Sequence, residues 1–114
     1  MGLDFTHGDA QWAYGLFAHF RRRLAEHEGF DLEAMAGFTR NGRSWDEVTT
    51  DLKPLLNHSD CDGALTPAEC AQVAPRLAEV IATWPQDDYD RQSGEALVMA
   101  MQYCAEHGEE LGFV

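Results

Sequence analysis

Residues 58–69 read His58-Ser-Asp60-Cys61-Asp62-Gly63-Ala64-Leu65-Thr66-Pro67-Ala-Glu69. A hard divalent cation takes six to eight oxygen ligands at about 2.3–2.6 Å, and a short loop has to wrap around it. Such a loop needs acids on alternate residues, a glycine at its sharpest bend, one backbone carbonyl, and a glutamate from the next helix able to offer both oxygens. Counted from His58, Asp60 and Asp62 take the third and fifth positions and Gly63 the sixth. Ala64 offers its carbonyl at the seventh, Leu65 is an apolar plug at the eighth, and Thr66 stands at the ninth. Glu69 falls on the twelfth, where the two-oxygen ligand belongs.

The chain on either side reads as helices. Downstream, Thr66-Pro-Ala-Glu69 is a capping box with proline at the first helical position. Cys70, Val73, Ala74, Leu77, Ile81 and Trp84 follow on one face; Pro75 kinks this helix and Pro85 stops it. A last helix runs from Asp90 to His107, with Leu97, Val98, Met101 and Cys104 inward and Gly108 as its C-terminal cap. Upstream, Ser44-Trp-Asp-Glu47 is a second capping box. It opens a helix bearing Trp45, Val48 and Leu52, which Pro54 bends or ends. Asp31 caps a short helix with Leu32 and Met35, and Asn41-Gly42 marks a turn. The first helix is expected to start at an Asp9 cap and carry Trp12, Leu16, Phe17, Phe20 and Leu24 as its apolar stripe. Arg21, Arg22 and Arg23 near its end read as a solvated face, with an anionic-ligand patch as the alternative, and Gly29 as the residue just beyond it. Leu3–Thr6 and Leu111–Val114 could pair as short terminal strands. The expected fold is therefore all-α, a single domain over 1–114 with four or five helices.

The 58–69 stretch, lying between two capped helices, resembles an EF-hand calcium-binding loop. The resemblance implies a calcium site held by Asp60, Asp62, Thr66, Glu69 and the Ala64 carbonyl, with His58 as a sixth contributor. The departure is at the first position, where the family carries Asp. A neutral imidazole is a poor calcium ligand, and losing one carboxylate should weaken binding by about tenfold to a thousandfold. Asn57 or a backbone carbonyl could take its place, and an imidazole would itself suit zinc, nickel or copper. EF-hands usually come in pairs, so residues 9–84 are expected to form an EF-hand-like pair, with 88–108 as an added helix. The partner loop would be the degenerate segment Ala25–Glu33, which has Glu26 and Glu28 before Gly29 but no glutamate in register after it, and Phe30 would lie near Leu65. Over most of its length the chain is also similar to short uncharacterised proteins of high-GC actinobacteria, on the blocks Leu55–Gly63 and Ala74–Leu77.

Charge bears on partners. The 114 residues contain twenty Asp and Glu against eight Lys and Arg, a net −12. Six acids and five arginines fall before Ser44, whereas fourteen acids and three bases follow, so nearly all the excess lies downstream. Such a surface repels nucleic acid and anionic lipid and favours divalent cations and basic protein surfaces. No run approaches the roughly 18 apolar residues of a membrane span, and three cysteines at uneven spacing do not make a disulfide framework. A cytoplasmic location is expected. His58-x-x-Cys61 and Cys104-x-x-His107 are a competing tetrahedral zinc set. No nucleophile–base motif, phosphate loop or zinc-protease signature is present, so no enzyme activity is expected. The functional expectation is a small acidic calcium- or divalent-metal-binding protein. The alternative is an acidic protein–protein interaction module whose loop is ion-free and structural.

Overall fold

Two long helices make the most extensive contact between any two elements. The computed structural model describes residues 2–58 and 63–114. Helix α3 (Pro67–Ile81) starts at the capping box read from the sequence. The Thr66 hydroxyl accepts from the Glu69 N–H at 3.1 Å, and the Thr66 N–H donates to Glu69 Oε1 at 2.9 Å. Pro75 lies inside α3, yet Cys70, Val73, Ala74, Leu77, Val80 and Ile81 stay in phase and buried. The proline ring removes one backbone donor without turning the stripe away from the core. Helix α4 (Tyr89–His107) starts at Asp88, which accepts from the Asp90 and Arg91 N–H groups, and ends at Gly108 in the left-handed region. Its Leu97, Val98, Ala100, Met101 and Cys104 pack against α3 and the rest of the core.

Helix α1 (Tyr14–His27) joins the same core, where it buries Phe17, Phe20, Leu24 and Ala25. It starts later than expected. Its N-cap is Ala13, not Asp9, and Trp12 belongs to a strand. Trp12 nonetheless reaches the core, stacking on Phe20 with ring centroids 4.5 Å apart. Leu16, counted in the apolar stripe, is exposed. Gly29 does stand just beyond the helix with φ +87°.

The all-α expectation is overturned by two small antiparallel sheets. Strands β1 (Gly2–Asp4) and β2 (Gln11–Ala13) pair with Leu3 opposite Trp12. Strands β3 (Ala64–Leu65) and β4 (Leu111–Gly112) pair with Leu65 opposite Leu111. An isolated antiparallel bridge between Phe5 and Phe113 lies between the two sheets. The architecture is thus a mixed α/β one. Strands of two or three residues are too short to display the period-two alternation by which a strand is read.

The helix expected after Ser44 is also absent. Ser44 caps only a single 3-10 turn, Trp45–Glu47, and Val48 leaves it in an extended conformation. The β-branched run Val48-Thr49-Thr50 resists helix at that point. Helix resumes only as α2 (Lys53–Leu56), where Pro54 sits in the first turn rather than ending an earlier helix. Asp31 likewise caps a single 3-10 turn, Leu32–Ala34.

Candidate metal centre

Loop 58–69 is led in by α2 and led out by α3. Asp60, Cys61 and Asp62, two of them expected ligands, lie outside the described residues. The remaining expected site residues can be placed. Gly63, at the bend, has φ +85°, a conformation that an L side chain adopts only with strain. Ala64 and Leu65 then run as β3, with Leu65 fully buried. Thr66 and Glu69 form the capping box that opens α3. The cap occupies Glu69 Oε1 with one N–H; a carboxylate has about four lone-pair sites, so acceptor capacity is left over for a cation.

His58, at the first loop position, has its Nε2 engaged within the loop. Its Nε2 lies 3.2 Å from the Ala64 carbonyl oxygen. A carbonyl only accepts, so the proton in this bond belongs to Nε2, and that nitrogen has no lone pair for a metal. The ring also lies against Phe113, centroids 4.2 Å apart. His58 therefore ties the first loop position to the seventh.

Two neighbours hold the loop in place, and sequence reasoning missed both. The first is Arg21, expected on a solvated face but buried, with 3% of its surface exposed. Its Nη1 donates to the His58 carbonyl at 2.6 Å and, at longer range, to the Leu55 and Leu56 carbonyls. Those carbonyls close the end of α2, where backbone acceptors have no helical partner. The guanidinium also lies over the Phe17 and Phe38 rings. A signal was available: Arg21 falls in step with Phe17, Phe20 and Leu24, at a spacing that faces the core. The second neighbour is the segment Leu111–Phe113. Besides the β3–β4 pairing, the Phe113 N–H donates to the Gly63 carbonyl at 2.9 Å. The strand partner of β3 is β4, and the Phe30 ring of the expected partner segment meets Trp45 edge-on.

The exit helix is anchored to α1 by a second cluster. Glu28 receives two bonds from Arg76, from Nε at 2.8 Å and Nη2 at 2.7 Å, and one from the Thr50 hydroxyl at 2.6 Å. With its side chain buried, this carboxyl is held down to about 2, chiefly by the Arg76 bonds.

Of the competing zinc set, Cys61 lies outside the described residues and the other three are not gathered. Cys104 is fully buried beside Cys70, whereas His107 is exposed, stacks on Tyr103 and bonds through Nδ1 to the Tyr103 carbonyl. Burial raises both thiols, Cys70 to about 12, which disfavours the thiolate that a metal needs. Among the described residues, no group of three or more His, Cys, Asp or Glu side chains converges on one point. Nor is any helix among them long and apolar enough to cross a membrane.

No family model, curated protein or solved structure matches the chain.

Proposed function

We propose that the protein binds a divalent cation, calcium by preference, in loop 58–69. The observation that supports this most directly is the backbone after the central acids. Gly63 in the left-handed region, two extended residues and a capped helix with Glu69 in its first turn make a path able to bring the Ala64 carbonyl and the Glu69 carboxylate to one ion. The donors offered by Asp60, Asp62, Ala64, Thr66 and Glu69 are all oxygen, which suits a hard cation. In this reading His58 clasps the loop rather than ligating the ion, and no carboxylate replaces the one missing from the first corner. Affinity is then in the range of weak sites, about 10⁻⁴–10⁻³ M.

The test is a calcium titration of the purified protein, followed by melting temperature and calorimetry. At ten times the dissociation constant a specific site stabilises the fold by about 1.4 kcal/mol. The variant Glu69→Gln separates ligation from capping, because glutamine can still complete the capping box. The metal-free variant should melt near the wild type, while its response to calcium disappears. A wild-type protein indifferent to calcium at about 10 mM, ten times the weakest dissociation constant in that range, overturns the reading and leaves the loop as a structural turn.

A further inference from the structure

Among the described large apolar side chains, Met99 is the most exposed, at 70%. It stands on α4 with Tyr103, 45% exposed, one turn further along the same face. On one side of Met99 a groove of about 250 Å³ runs between α3 and α4, lined by Ala78, Ile81, Ala82 and Val98. On the other side a groove of about 320 Å³ lies between α4 and the loop at His7 and Gly8. Met99 lines both, so it is a ridge between two apolar furrows. Scattered exposed apolar residues need no explanation, but a ridge and furrows shared by two helices and a loop form a surface shaped for another chain.

The charges around this face decide what fits it. Exposed Glu95 precedes Met99 by one turn, and exposed Glu106 follows Tyr103 by one turn. Arg91, at one end of the α3–α4 groove, is turned onto the backbone, donating to the Trp84 carbonyl at 2.7 Å. The chain as a whole carries −12. A second copy of the same face would meet it with like charge, and an anionic lipid surface would be repelled.

We propose that the Met99–Tyr103 face docks a basic amphipathic segment of another protein. Its apolar side chains straddle Met99 and its lysines or arginines lie over Glu95 and Glu106. The unbranched, polarisable methionine adapts to whichever apolar side chain arrives, which suits a docking ridge. The helix-in-groove mode supplies the geometry, with anchors at three- and four-residue spacing. This surface does not depend on a bound cation.

The test uses the full chain in excess chelator, so that it stands apart from the calcium titration. The probe is a fluorescently labelled helical peptide with leucines at three- and four-residue spacing and lysines elsewhere, followed by anisotropy. A second peptide carries glutamates in place of the lysines. The lysine peptide should bind, more weakly as salt is raised, and the glutamate peptide should not. Met99→Gln should weaken binding about tenfold or more while leaving the melting temperature unchanged. Leu16→Gln, at an exposed leucine of α1 that lines neither groove, should leave binding unaltered. Absence of binding, indifference to Met99→Gln, or equal binding of both peptides overturns the proposal. So does self-association in sedimentation that Met99→Gln abolishes, since the face would then belong to a second copy.

Discussion

The His58 ring lies nearly parallel to that of Phe113, with 26° between the planes, while the Phe113 backbone N–H reaches the Gly63 carbonyl. One residue thus touches the candidate loop at its first position and at its bend. Phe113 also meets Phe5 and Phe17 edge-on. Phe113→Ala should therefore cost about 3 kcal/mol of stability, as for other buried aromatics cut to a methyl group. Urea unfolding measures this, and a loss well below 1 kcal/mol would mean that the tail does not anchor the loop.

Gly63 is the second point at which the loop can be probed. An alanine there would have to hold φ near +85°, and its Cβ would stand 3.3 Å from the His58 ring. Gly63→Ala should lower stability by about 1–2 kcal/mol. Asn, which tolerates the left-handed region better, should cost less. Thermal melts of the two variants rank them, and the reverse order would contradict the assigned backbone.

Glu28 gives a pH signature. Its folded-state carboxyl is lowered from the ordinary 4.5 to about 2 by the Arg76 bonds. The folded protein therefore holds the charged form more tightly than the unfolded chain does. The stabilisation is complete above about pH 4.5 and is lost as pH falls toward 2. Glu28→Gln should flatten that part of the stability–pH curve while changing its slope little above neutrality. Equilibrium unfolding at a series of pH values checks this, and identical curves for the two proteins would rule the linkage out.

A further prediction concerns Asp90, which is buried where α4 begins. Its Oδ1 accepts from the Trp12 indole N–H at 2.9 Å and its Oδ2 from Arg23 at 2.7 Å. Arg23 also pairs with Asp88, holding that carboxyl below its usual range, and lies over the Trp84 ring. Asp90→Ala leaves the buried Trp12 indole N–H without its acceptor and takes one of two carboxylates from Arg23, and should cost about 3 kcal/mol. Asp90→Asn keeps one acceptor for the indole and should cost less. Denaturant midpoints, with tryptophan emission to report the change around Trp12, test the ranking.

Helix ends were the most legible part of the fold, because capping is chemistry between near neighbours. The Thr66–Glu69 box, the Asp31 cap and the Gly108 terminus can all be read from a few consecutive residues. What the sequence hid depends on distant partners. Trp12 keeps helical spacing with Leu16 and Phe20, yet its backbone is claimed by Leu3 and its indole by Asp90. Arg21 looks like part of a charged run, and only the nearby carbonyls of Leu55, Leu56 and His58 make its burial tolerable. At the candidate centre, Gly63, Leu65, Thr66 and Glu69 take the backbone roles expected of them. The role of His58 could not be read, because it depends on a carbonyl across the loop and on a ring from the far end of the chain.

The pairing of Leu65 with Leu111 has a kinetic consequence. Neither strand is long enough to persist alone, and the chain between them must first fold back through α3 and α4 before the two can meet. Closing so distant a contact costs chain entropy that local helix formation does not. The β3 end of the candidate loop is then a late product of folding: substitutions in β4 should accelerate unfolding while hardly slowing refolding.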